Sequence, residues 1–190
     1  MKDSLYKTLI VDDRYKYILS GLTTTVIIAF FAVIIGIIIG TLVSLIRNNY
    51  EVNKKGKILN KICEIYVNVI RGTPVILQLM IIYYVIFKSV NINITLVGII
   101  AFGINSGAYV AEIIRSGILS IDIGQYEAGR SLGLSESITM RKIIMPQALK
   151  NVLPTLVNEF IQLIKETSVA GFIGVMDLSR AGDIIRSQTY

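Results

Sequence analysis

Charge is scarce in this sequence and histidine is absent. Charged residues make up 17% of its 190 positions, against roughly 25% in soluble chains, which argues against a water-soluble domain. Without histidine there is no imidazole base, no histidine-based metal site and no Ser-His-Asp triad. The single cysteine, Cys63, can form neither an internal disulfide nor a Cys-x-x-Cys site. It reads as a small apolar side chain in a membrane-proximal helix. No G-x-x-x-x-G-K-S/T phosphate loop occurs, because Gly56-Lys57 lacks both the earlier glycine and the following hydroxyl. Any nucleotide-driven work therefore belongs to another chain. A membrane-embedded hydrolase using Asp122 and Glu159 finds little support, since H-E-x-x-H, G-x-S-x-G and paired intramembrane aspartates are all missing. The chain is not read as an enzyme.

What is present is apolar and continuous. Hydrophobic residues are 53% of the chain, and its mean hydropathy is +0.65. Tyr17 to Ile46 runs for thirty residues without a charge, where about 20 apolar residues suffice to span a bilayer as a helix. The reading is an all-α integral membrane protein with a first span over 17–46. There Gly36 and Gly40 form a small-xxx-small pair suited to close helix packing. The second span, 60–87, is interrupted by Glu64, Arg71 and Pro74, and its uncharged part, Gly72 to Phe87, has only sixteen residues. Its helix is expected to begin near Ile58 and to bend around Gly72-Thr73-Pro74, because proline removes a backbone donor. The third span, 94–114, carries Asn105 and Ser106 near its middle and a second glycine pair, Gly103 and Gly107. A weaker fourth, 147–165, holds Lys150, Pro154, Asn158, Glu159 and Lys165. Ahead of them all, Leu5, Leu9 and Ile10 are at helical spacing, which suits a short interfacial helix or a frayed terminus. It is not a cleavable signal, for the apolar run behind it is too long.

The net charge of +6 could suggest nucleic acid, but its placement points to topology instead. The loop 47–61 has Arg47, Lys54, Lys55, Lys57 and Lys61 against Glu51, and the polar stretch 116–146 has Arg130, Arg141 and Lys142. Both are expected on the cytoplasmic side by the positive-inside rule. Alternation then puts the N-terminus outside.

Three segments carry a resemblance. Glu127-Ala128-Gly129, then Leu132-Gly133, then Ile143 and Met145-Pro146, resembles the E-A-A-x3-G-x9-I-x-L-P loop of the inner-membrane permease subunits of binding-protein-dependent ABC importers. Arg71-Gly72-Thr73-Pro74 with Gln78-Leu79 resembles the R-G-T-P-x-x-x-Q-L segment of their polar amino-acid branch (histidine, glutamate, glutamine, arginine and opine types). Asn105 to Arg115 is similar to the segment that ends the third span in that branch. Gly129 replaces the last alanine of the triplet, and Met145 replaces the leucine before Pro146.

The resemblance implies the permease fold of type I importers, with five spans. Four are visible, and the expected fifth would be missing through a truncated chain or an early gene end. It implies a multi-pass protein of the inner or plasma membrane that carries a polar amino acid by alternating access. It further implies two cytoplasmic ATP-binding subunits, a second permease copy (identical or a sister chain) and an extracytoplasmic solute-binding protein. Lipid surrounds the chain, no nucleic acid is involved, and ATP and magnesium belong to the ATPase, with no cofactor on this chain. The loop 116–146 would couple to the ATPase through Glu127, Ala128, Gly129, Leu132 and Gly133.

The residues by themselves support the same roles less sharply. Good helix formers between Gly124 and Gly133, then a second helix from Ser135 to Ile144 leading into Pro146, suit a docking knob or an ordinary polar loop. Arg71, Gly72, Thr73 and Pro74 suit a hinge or a plain kink. Asn105, Ser106, Asn158 and Glu159 lie where unpaired burial is costly, so they line a substrate pathway or bond to a neighbouring span. Lys165, Glu166 and Thr167 mark the far interface. A membrane scaffold that merely docks a cytoplasmic partner is the alternative function.

Overall fold

The computed structural model describes residues 6–189, and every regular element among them is helical. Leu5 and the side chain of Leu9 lie outside it. After short turns at Tyr6–Ile10 and Val11–Asp13 come α1 (Tyr15–Asn53), α2 (Lys57–Arg71) and α3 (Val75–Ile81, continued by a wide turn over Ile82–Ile86). Then follow α4 (Ile94–Leu119), α5 (Ile123–Ser131) and α6 (Glu136–Thr139). A wide turn at Met140–Ile144 leads into α7 (Met145–Glu166), and a 3-10 stretch at Thr167–Ile173 precedes α8 (Leu178–Thr189).

The centre of the fold is the pairing of α1 with α4. Ile28 meets Gly98, Ile35 meets Gly103, Gly36 meets Ser106, Ile39 meets Gly107 and Gly40 meets Val110. Both partners advance together, so the helices run parallel. The two glycine pairs make this possible. A Cβ on Gly36 would sit 2.6 Å from Ser106 Oγ, one on Gly40 2.6 Å from Val110 Cβ, and one on Gly103 2.7 Å from Ile35 Cγ2. Without lipid-excluding hydrophobicity to drive it, helix association in a membrane relies on such close backbone approach. Both glycine pairs are consumed inside the chain.

α7 packs antiparallel to α4, with Glu159 beside Ser106 and Asn151 beside Ser120. α8 returns antiparallel along the start of α1. Leu178 N–H donates to Thr25 Oγ1 at 3.2 Å, and Arg14 reaches Thr189 Oγ1 at 3.0 Å. The core on this side joins Ile28, Ala29, Leu79, Val97, Phe102, Leu163 and Val175. A smaller cluster near the other end holds Val43, Cys63, Val67 and Ala111, so Cys63 is a packed apolar side chain.

α1 and α4 are long and apolar enough to cross a membrane, and α2 with α3 counts as a third crossing if the bent pair is one span. The break falls at Gly72-Thr73-Pro74 and turns the chain by 110°. This is sharper than a kink within one helix. Cys63, Val67 and Arg71 all lie against the same stretch of α1 and α4, so α2 crosses those helices and α3 then rises along them. α7 is 22 residues long, but Lys150, Glu159 and Lys165 make it less apolar than α1 or α4.

Candidate functional site

Two polar networks occupy the middle of α4, and they diverge from adjacent residues. Ser106, fully buried, donates its hydroxyl to Glu159 Oε1 at 2.8 Å. Asn105, 2% exposed, turns the other way and donates Nδ2 to Gln78 Oε1 at 3.0 Å. Successive residues of a helix project about 100° apart, since 3.6 residues make a turn. One pair of neighbours thereby links α4 to both α7 and α3.

Gln78 explains why the break can be buried. A helix end leaves its last four carbonyls without intrahelical partners, and unpaired backbone groups in an apolar setting are costly. At the end of α2 the Asn68 carbonyl accepts from Gly72 N–H at 2.9 Å, and the Val69 carbonyl accepts from Thr73 Oγ1 at 2.8 Å. Gln78 Nε2 donates to the Ile70 carbonyl at 2.8 Å, to the Thr73 carbonyl at 3.1 Å and to Thr73 Oγ1 at 2.8 Å. Pro74 needs no acceptor and sits at the N-cap of α3 in an extended conformation. Gly72 is required for space, because a Cβ there would lie 2.7 Å from the Asn68 carbonyl oxygen.

One end of the α1–α4 pair carries a charge cluster. Glu112 lies 3.4 Å from Arg47, 3.4 Å from Arg115 and 4.0 Å from Arg71, and Arg115 also meets Glu51 at 3.6 Å. The Arg71 guanidinium lies over the Tyr109 ring, its Cζ 5.5 Å from the ring centre. Beside them is an open cavity of about 350 Å³ between α4 and α7.

The segment beyond α4 is a compact, braced projection. Asp122 caps α5, accepting from Gly124 N–H at 2.7 Å. The helix ends on Gly133 at φ +78°, where Leu134 N–H bonds the Gly129 carbonyl at 3.2 Å and Gly133 N–H bonds that of Arg130 at 3.0 Å. This paired closure needs a left-handed residue, for which glycine is suited. Gly129 lets α5 press on α6, since a Cβ there would be 2.7 Å from Thr139 Cγ2. Gln147 to Gln125 at 3.4 Å ties the projection to the start of α7, and Asn151 to Ser120 at 2.9 Å ties α7 to the end of α4. Glu127 and Ala128 are exposed, and Ile123 and Leu132 are 71% and 80% exposed.

Comparison with known proteins decides the family. The model of the binding-protein-dependent transport system inner membrane component matches residues 34–187. The chain belongs to that family. A putative glutamine transport system permease protein of Rickettsia prowazekii is 40% identical over 179 residues, covering 93% of this chain and 80% of the relative. The arginine transport system permease protein ArtQ of Bacillus subtilis is 38% identical over 179 residues, covering 93% and 80%. A solved amino acid ABC transporter, crystallised with histidines, superposes with a TM-score of 0.85 at 43% identity, covering 93% of this chain and 80% of that one. The MetNI methionine ABC transporter, in an inward-facing form, shares the fold with a TM-score of 0.75 at 22% identity.

In this permease the expected site residues fall into separate groups. Ser106 and Glu159 are brought together, Asn105 is bound into the break, and Asn158 is exposed on another face of α7. Pro146 stands at the start of α7 directly after a wide turn. That turn accommodates the ring and the missing donor, so α6 runs into α7 without a loop. Thr167 is buried, its hydroxyl donating to the Ile164 carbonyl at 2.8 Å. Asp122 is taken up in capping and Glu159 in its bond to Ser106, two separate tasks. Sequence reasoning assigned no role to Gln78 or Glu112. A signal existed for Gln78: a Gly-Thr-Pro break inside an apolar segment demands a nearby donor for its carbonyls.

Proposed function

We propose that this permease carries a polar amino acid across the cell membrane by alternating access, driven by ATP hydrolysis on separate subunits. Two copies of the permease, or one with a sister chain, would enclose the path. Two cytoplasmic ATPases would bind ATP and magnesium, and an extracytoplasmic binding protein would deliver the solute. The relatives' names support the substrate class, since they specify glutamine, arginine and L-cystine transport.

The observation that carries the coupling mechanism is the α5 projection. Exposed Glu127 and Ala128, with Ile123 and Leu132 left in the open at 71% and 80% exposure, suit a knob seated in a partner's cleft, because exposed apolar anchors rimmed by polar groups mark interfaces. Its bond between Gln125 and Gln147 makes it move with α7, whose later turns bear Glu159. Movement of the ATPase would thus reach the Ser106–Glu159 level along one helix. The Gly72-Thr73-Pro74 break, with Arg71, serves as the hinge against which α2 and α3 change angle. In this arrangement 47–61 and 116–146 face the cytoplasm, the N-terminus lies outside, and four spans at 17–46, 60–87, 94–114 and 147–165 cross the bilayer.

The test is reconstitution with the ATPase and binding protein in liposomes, reading ATP hydrolysis and solute uptake. One amino acid should stimulate both. Glu127→Arg should abolish uptake and uncouple hydrolysis from the amino acid while leaving the permease inserted. Normal uptake by that variant refutes the coupling role, and ATPase binding without uptake of any amino acid favours a scaffold.

A further inference from the structure

The cavity beside Arg71 lies directly on a polar track that starts at the Ser106–Glu159 pair. On α7, Glu159, Thr155 and Asn151 recur every four residues and share one face. On α4 and its capping residue, Ser106, Tyr109, Ser116 and Ser120 recur at intervals of three, seven and four, which keeps them on a single face. Because the helices are antiparallel, the stripes oppose each other over about 12 Å, the rise of the eight residues from Asn151 to Glu159 at ~1.5 Å each. Tyr109, Ser116, Ser120, Asn151 and Thr155 all line the cavity, together with Arg71 and Glu112. Its volume of about 350 Å³ falls in the lower part of the ~300–1,000 Å³ range of small-molecule sites.

The groups that meet there have the polarity of an amino acid's head. The Arg71 side chain is 42% exposed, and its 4.0 Å approach to Glu112 is beyond hydrogen-bond range. Its Cζ lies 5.5 Å from the centre of the Tyr109 ring, a cation–π contact that engages the charge without a hydrogen-bond acceptor. A guanidinium fork matches a carboxylate in bidentate fashion, as a lysine does not. Acceptors for an ammonium line the same cavity: the Glu112 carboxylate and the Ser116 hydroxyl from α4, and the Thr155 hydroxyl from α7. Glu112 is itself bordered by Arg47 and Arg115 at 3.4 Å, so the carboxylate of a ligand gains more here than its ammonium does.

We infer that this cavity is an amino-acid subsite, below the Ser106–Glu159 level, in which Arg71 holds the α-carboxylate and Glu112 with the neighbouring hydroxyls holds the α-ammonium. It reads the zwitterionic head common to all amino acids and leaves side-chain choice to other residues. The inference rests on the amino-acid reading above.

Binding to the purified full chain in detergent tests it, using the twenty proteinogenic L-amino acids and, for each that binds, the amine that lacks its carboxylate. Wild type should prefer the acid to the amine. Arg71→Gln should weaken the acid by about tenfold or more, the loss expected for a charged hydrogen-bonded pair, and leave the amine unchanged. Arg71→Lys should fall between, keeping charge without the fork. An equal loss for acid and amine assigns Arg71 a merely structural role and overturns the subsite, as does no loss at all. If wild type binds none of the twenty, the amino-acid reading itself falls and this inference with it. Preference for the acid that survives Arg71→Gln overturns the subsite alone.

Discussion

Gln78→Leu isolates the brace across the α2–α3 break with little change in volume. The leucine removes four hydrogen bonds, to the Ile70 carbonyl, the Thr73 carbonyl and hydroxyl, and Asn105 Nδ2. The Thr73 hydroxyl keeps its bond to the Val69 carbonyl. Asn105 suffers most, because its Oδ1 is already without a partner and the residue is 2% exposed. Leaving a buried polar group unsatisfied costs about 1–3 kcal/mol. Ile70 and Thr73 are only half-buried, so counting Asn105 in full and the two carbonyls in part gives about 2–4 kcal/mol. At about 2–4 °C per kcal/mol for a chain of this size, the midpoint of thermal unfolding in detergent should fall by about 5–15 °C. The double variant Gln78→Leu with Asn105→Leu tests the cause. Asn105→Leu removes the group that Gln78→Leu orphans, so the double should cost less than the sum of the singles. A Gln78→Leu midpoint within 2 °C of wild type (about 1 kcal/mol or less), or strictly additive singles, refutes the brace.

Two further outcomes follow from the glycine contacts. Gly36→Val puts a branched side chain where even a Cβ would lie 2.6 Å from Ser106 Oγ, so α1 and α4 separate; size-exclusion chromatography should show loss of the monodisperse species, whereas Gly182→Ala, with no atom within 4 Å, should elute as wild type. Gly129→Val places its side chain against Thr139 and Ile143, and limited proteolysis should open the segment 119–145 while the remaining helices keep their unfolding midpoint.

The helical class, the long apolar elements and the punctuation of the chain were legible in the sequence because they depend on local chemistry. Tyr17 to Ile46 has no charge to interrupt it, and a helix is the way an isolated apolar segment pairs its own backbone in lipid. Gly72-Thr73-Pro74 and Gly133 announced a break and a helix end, because one lacks a donor and the other tolerates positive φ. Pairing was beyond local chemistry. Nothing in Gly36 and Gly40 says that their partners are Ser106 and Val110 and that α1 and α4 run parallel. The helices find that register only when two whole surfaces meet. The angle at the break was equally hidden: 110° is set by α2 lying across α1 and α4, held by Val67, Cys63 and the Gln78 brace.

The candidate site divides in the same way. The sequence determined that Asn105, Ser106 and Glu159 sit in apolar segments and must find partners, since burial without them is costly. Only the tertiary structure decided that Ser106 belongs to Glu159, that Asn105 belongs to Gln78, and that Asn158 faces outward. The physical reason is reach. A side chain forms a bond only within about 3 Å, and the helix-to-helix register that brings residues fifty positions apart to that distance is set by the packing of small residues elsewhere in the chain.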